Sequence, residues 1–68
     1  MMHEEKGWKD GDTYVGVGGT LEEAFENAAT AAVRESRENV GRRFEVVRWV
    51  VTVDNPRISE HKVTISGT

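Results

Sequence analysis

Residues 43–53, RFEVVRWVVTV, are the segment that most constrains how this chain can fold. Their β-branched and aromatic side chains favour a strand, and successive side chains of a strand point to opposite faces. The first face would carry Phe44, Val46, Arg48, Val50 and Thr52, and the second Glu45, Val47, Trp49, Val51 and Val53. Both faces are mainly apolar, whereas a strand with one solvated face alternates apolar and polar residues. This pattern predicts that both faces of the strand are buried, against other parts of the chain or against another molecule.

The rest of the chain offers little to cover the second face. With 68 residues the chain is one small domain, and domains of this size often need a disulfide, a metal or a partner chain for stability. There is no cysteine and there are only two histidines, so we expect neither a disulfide nor a metal site. A second copy of the chain is the simplest way to bury the second face. Val47, Trp49 and Val51 are the candidate residues of this oligomer interface.

One helix is predicted over residues 20–40. Thr20 is a good N-cap, and Glu23 stands three residues later, which makes a capping box. Gly41 is the natural C-terminal stop. Apolar residues recur at helical spacing and form one stripe made largely of alanine, namely Leu21, Ala24, Phe25, Ala28, Ala29, Ala32 and Val33.

Two further strands complete the predicted fold, at 13–18 and 58–66, and the turn DNPR joins the last one to residues 43–53. The order is β-α-β-β. We therefore expect an α+β domain at 13–68, with a three-stranded antiparallel sheet packed on one helix. Residues 1–12 are polar and are expected to form a flexible N-terminal arm.

The stretch VGVGGT, residues 15–20, raises the question of a phosphate-binding loop. Such a loop leaves backbone N–H groups free at a helix N-terminus. Here the capping box would occupy those donors, Glu22 and Glu23 would repel an anion, and the Walker and GxGxxG patterns are absent. The favoured interpretation is that the glycines permit a tight turn or the close approach of another backbone.

Little in the sequence indicates an enzyme. Ser59, Glu60 and His61 are consecutive on a strand, which does not supply the geometry of a hydrolytic triad. The net charge of −3 disfavours binding to nucleic acid, although Arg42, Arg43, Arg48 and Lys62 leave that alternative open. No segment is apolar enough for a membrane span or a secretion signal, so we expect a cytoplasmic protein.

Three segments resemble the dodecin family, whose members are small β-α-β-β proteins that assemble as hollow dodecamers and often bind flavins. The segments are GGTLEEAFENAATAAV at 18–33, FEVV at 44–47 and EHKVTI at 60–65. The resemblance implies a homo-oligomer, with a dodecamer as the assembly of that family, and FMN, FAD or riboflavin as the ligand. In flavin-binding members a tryptophan just before the FEVV-like segment stacks on the flavin, and a glutamine of the last strand hydrogen-bonds it. The matching positions are Arg43 and Lys62, which are the candidate ligand-binding residues.

Two functions follow from these observations. The first is a dodecin-like homo-oligomer that binds or stores a small aromatic ligand, and it rests on the resemblance and the two-sided apolar strand. The alternative is an oligomeric assembly or interaction module without a small ligand, because Arg43 and Lys62 replace both flavin contacts.

Overall fold

The computed structural model describes residues 6–35 and 43–67. Its secondary-structure elements, in chain order, are β1 (Gly7–Asp10), β2 (Thr13–Gly18), α1 (Leu21–Glu35), β3 (Phe44–Asp54) and β4 (Arg57–Gly67). The fold is thus a small α+β arrangement in which one helix packs against an antiparallel sheet. The strands predicted at 13–18, 43–53 and 58–66 are confirmed to within one residue at each end.

The sheet has four strands in the order β1-β2-β4-β3, and the prediction of three strands is wrong. The additional strand, β1, comes from residues that were expected to belong to a flexible arm. It pairs with β2 through a two-residue turn in which Gly11 has a φ of 64°. Glycine with positive φ at the first position of such a turn matches the right-handed twist of the flanking strands. Residues 1–5 lie outside the described part of the chain.

Helix α1 begins as the sequence predicts. Thr20 Oγ1 accepts a hydrogen bond from the Glu23 N–H at 3.1 Å, and the Glu23 carboxylate accepts one from the Gly19 N–H at 2.8 Å. The first bond satisfies a backbone donor that the first turn of a helix leaves without an intrahelical partner, and the second ties the residue before the N-cap to that turn. The helix extends to Glu35, and the predicted continuation to residue 40 with its stop at Gly41 falls outside the described residues.

The helix lies unusually close to the sheet because small residues meet on both sides. A Cβ added at Gly16 would collide with the backbone of Ala24 and Ala28, so this position admits only glycine at the observed distance. The core that results is small. It consists of Ala24, Ala28, Val63 and Ile65, with Tyr14, Leu21 and Phe44 packed against it. Three members of the predicted apolar stripe, Phe25, Ala29 and Val33, are instead exposed.

A β-bulge corrects the prediction that both faces of β3 are apolar. The β3–β4 register shifts between Val46, which pairs with Ile65, and Arg48, which pairs with Thr64. Paired residues share a face of the sheet, and a single extra residue reverses the alternation that follows it. Val46, Trp49, Val51 and Val53 therefore lie on the face that carries α1, and the opposite face carries Glu45, Arg48, Val50, Thr52 and Asp54.

Helix α1 does not extend over this apolar face of β3. It packs on β1, β2 and β4, and no Cα atom of β3 lies within 8 Å of a Cα atom of the helix. Apart from Phe44, every residue of β3 is exposed. The sheet therefore presents apolar side chains beside the helix that nothing among the described residues covers.

Candidate functional site

The candidate site is the part of the helix-bearing face that α1 leaves open. We call it the apolar surface, and its members are Val46, Trp49, Val51 and Val53 of β3 with Ile58 of β4. Trp49 is 55 % exposed and Val53 is 65 % exposed. Contiguous exposed apolar side chains of this size typically mark a contact with another molecule.

An aromatic pair lies in the middle of the apolar surface. Trp49 and His61 have ring centroids 6.1 Å apart and ring planes inclined by 25°, which is an offset stack. The Trp49 Nε1–H donates a hydrogen bond to His61 Nδ1 at 3.2 Å. This bond requires an unprotonated Nδ1, so the imidazole carries its proton on Nε2. The pair holds the indole in one orientation and leaves much of it open to solvent.

The predicted interface residues are divided by the bulge. Trp49 and Val51 lie together on the apolar surface, because their partners Val63 and His61 share that face of β4. Val47 is the extra residue of the bulge and lines an open depression of about 330 Å³ together with Asp10, Arg48 and Thr64. The structure therefore brings two of the three residues together.

The two predicted ligand-binding residues lie apart in one chain. Lys62 sits on the face away from α1, between Val17 of β2 and Val50 of β3. Arg43 immediately precedes Phe44, which pairs with Gly67. Lys62 is five residues from Gly67 along β4, which at the usual rise of a strand is a separation of about 16 Å. A single ligand would contact both side chains only if it were long or if two copies of the chain contributed.

The start of α1 offers no ready phosphate site. The Gly19 and Glu23 N–H groups already donate to side chains, and Glu22 and Glu23 place negative charge in the first turn. Within residues 6–35 and 43–67 no group of three or more acidic, histidine or cysteine side chains is placed to hold a metal ion. Over the same residues no helix is both long enough and apolar enough to cross a bilayer.

His61 is the site residue that sequence reasoning missed. The signal was weak, because one histidine in a strand does not show which aromatic residue lies across from it. The β3–β4 register brings them together: Val51 pairs with His61 directly, and Trp49 is its diagonal neighbour on the same face. The contact can be anticipated only when the positions of the bulge in β3 and of the β3–β4 turn are known.

Comparisons with family models, with curated proteins and with solved structures find no match to this chain.

Proposed function

We propose that the chain is a dodecin-like homo-oligomer that binds a planar aromatic small molecule, a flavin such as FMN, FAD or riboflavin, on or beside the apolar surface. The observation that carries the proposal is the Trp49–His61 pair, which sits on a sheet face that α1 does not cover.

Self-association is supported by the amount of apolar side chain left in water. Burial of one valine or similar side chain contributes about 1.5–3 kcal/mol. The apolar surface presents five such residues, all at least 37 % exposed, whereas four of the seven buried apolar residues in the described part of the chain are alanines. A second copy would bring the same apolar side chains into contact with these, and isologous contacts are the commonest in soluble oligomers.

Ligand binding is supported by the exposed, oriented indole. Aromatic side chains held in place by a neighbour bind flat ring systems by stacking, and such stacking contributes about 1–3 kcal/mol per ring. Trp49 is fixed by its hydrogen bond to His61, and its neighbours along β3 on the same face are Val46 and Val51. Arg43 and Lys62 would add positive charge for a phosphate or a ring carbonyl, each from a different copy.

The alternative is an oligomeric assembly module without a small ligand. The separation of Arg43 from Lys62 along the β3–β4 ladder favours it, because neither residue shares a pocket with the other in one chain. This alternative requires the same oligomer and differs only in the absence of a bound chromophore.

Native mass spectrometry of protein purified without added ligand tests the oligomer. We expect a homo-oligomer, with twelve subunits if the dodecin resemblance extends to assembly. Val51→Glu places a charge in the apolar surface and should give a monomer. Val33→Glu is the matched control, since Val33 is exposed on α1, and it should keep the oligomeric mass. An unchanged mass for Val51→Glu would show that the apolar surface is not the interface.

Quenching of riboflavin fluorescence tests the ligand. The protein should quench it, and Trp49→Leu should bind at least tenfold more weakly, because leucine keeps an apolar side chain but loses the stacking surface. Trp8→Leu is the control on the opposite face of the sheet and should bind as the parent does. An oligomer that neither carries a chromophore nor quenches riboflavin would favour the assembly module.

A further inference from the structure

The outer edge of β3 carries a further inference. β3 is the last strand of the order β1-β2-β4-β3, so its outer backbone edge has no strand partner among the described residues. It is eleven residues long and rich in valine. Natural proteins usually blunt or cover a long apolar edge strand, because its unpaired N–H and C=O groups are a template for another strand.

We propose that β3 pairs antiparallel with β3 of a second copy, about a two-fold axis at Val51, to make a continuous eight-stranded sheet. This inference rests on the self-association proposed above and specifies one contact within it. The two-fold axis stands perpendicular to the sheet, so both helices and both apolar surfaces come to the same side, where the two apolar surfaces adjoin along β3 without covering each other.

The regular part of β3 defines where pairing can occur. The bulge at Val47 interrupts the strand. From Arg48 to Asp54 the residues of β3 follow one another without an insertion, because the second register shift, between Thr52 and Val53, inserts Ser59 on the β4 side. Val51 is the centre of this seven-residue segment. A two-fold pair centred there uses all seven residues, and each residue faces one that lies on the same side of the sheet.

Charge complementarity selects the same register. With Val51 opposite itself, Arg48 faces the partner's Asp54, and symmetry repeats this pair at the other end. Trp49 then faces the partner's Val53 on the apolar side. A register centred on Val50 puts Arg48 opposite threonine, and one centred on Thr52 puts Val50 opposite aspartate. Opposite charges across a strand pair stabilise it, and like charges destabilise it.

The two charges of this pair have different neighbours within the chain. On β4, Arg48 has Thr64 as its cross-strand neighbour, which carries no charge, whereas Asp54 has Arg57. The partner's Arg48 would be the second positive neighbour of Asp54, on its open edge, so the contribution of the pair is modest. All of these side chains except Thr64 are exposed, so the pairs at the two ends set the register more than the affinity.

Disulfide trapping tests the register directly, because the chain contains no cysteine. Val51→Cys should form a covalent dimer under mild oxidation, since residues opposite each other have Cα atoms about 4.5–5.5 Å apart, within disulfide range. Val50→Cys and Thr52→Cys are the matched controls. In this register each lies roughly 8 Å or more from its own copy and should cross-link poorly.

Charge reversal provides an independent measurement by sedimentation equilibrium. Arg48→Asp and Asp54→Arg should each weaken association about tenfold, because each places like charges opposite one another twice per dimer. The double variant restores the opposite-charge pairs and should return the association constant to near that of the parent.

The outcomes separate the two proposals. Preferential cross-linking of Val50→Cys or Thr52→Cys would overturn the register. An oligomer in which none of the three cysteines cross-links would overturn the edge pairing and leave the proposed self-association standing. A chain that stays monomeric at all concentrations would overturn both.

Discussion

The space around each glycine explains the glycine-rich stretch before α1. A Cβ added at Gly16 or Gly18 would collide with the backbone of the helix or with the Glu23 side chain. Gly19 has ordinary contact distances only, and its N–H donates to Glu23. The stretch therefore sets the distance between sheet and helix and closes the first helical turn.

Gly16→Ala should lower the free energy of unfolding by about 3 kcal/mol, because the added methyl meets backbone atoms of α1 that cannot move independently. Gly19→Ala is the control and should change it by less than about 0.5 kcal/mol. Urea denaturation at one fixed protein concentration measures both. Equal effects of the two substitutions would mean that close packing at Gly16 does not hold the helix in place.

The Trp49–His61 contact makes a second prediction at the residue scale. His61 Nδ1 accepts the hydrogen bond of the indole N–H, so loss of the imidazole leaves that donor to solvent. In a Trp8→Phe background, where Trp49 is the remaining tryptophan, His61→Ala should therefore shift the fluorescence emission of Trp49. Lys62→Ala is the matched control on the opposite face of β4 and should leave the emission unchanged. Identical spectra for the parent and the His61→Ala variant would contradict the contact.

At the scale of elements, hydrogen bonds from β2 and from α1 hold the start of β1 in place. The Val17 N–H donates to the Lys6 carbonyl at 2.8 Å, and the Arg34 guanidinium donates to the Gly7 carbonyl at 2.9 Å. Trp8 lies on the face away from α1, opposite Val15, which is buried although the helix is on the other side of the sheet. The short strand therefore covers part of β2 as well as extending the sheet.

Trp8→Ala should lower the free energy of unfolding by about 2 kcal/mol, less than for a fully buried tryptophan because the side chain is 37 % exposed. Lys9→Ala, one residue further on and exposed, should have little effect. Thermal or urea unfolding followed by far-ultraviolet circular dichroism gives both values. If Trp8→Ala were as harmless as Lys9→Ala, β1 would not contribute to the stability of the sheet.

The whole molecule is elongated, with principal extents of 41 × 32 × 19 Å over the described residues. Its length comes from the β3–β4 hairpin, whose strands of eleven residues each extend past the helix. The apparent free energy of unfolding should depend on whether a partner binds the hairpin. Any partner that binds only the folded chain raises this free energy by mass action.

The melting temperature should therefore rise with protein concentration, by about 3–5 °C for a tenfold increase if the chain forms a dimer. Differential scanning calorimetry at two concentrations measures this shift. In the Val51→Glu variant the shift should disappear. A melting temperature of the parent chain that is independent of concentration would contradict association through the apolar surface.

Much of the architecture could be predicted because it depends on neighbours in sequence. The start of α1 at Leu21 follows from hydrogen bonds between residues at most four apart, Thr20, Glu23 and Gly19. The β3–β4 hairpin follows from two strand-like segments and a short turn. The turn of the β1 hairpin also had a local signal, Gly11-Asp12, which is typical of two-residue turns, but the polar segment around it did not indicate a strand.

The amino-acid sequence alone determined which residues form helix and strand, since propensity, capping and turn chemistry act over a few residues. Tertiary structure decided which face each residue of β3 occupies. The bulge at Val47 exists only in the pairing of β3 with β4, and it gathers the apolar residues onto one side. The same pairing placed Trp49 beside His61, twelve residues away. A shift of one residue reverses every later side chain of a strand, so the candidate site followed from register rather than from composition.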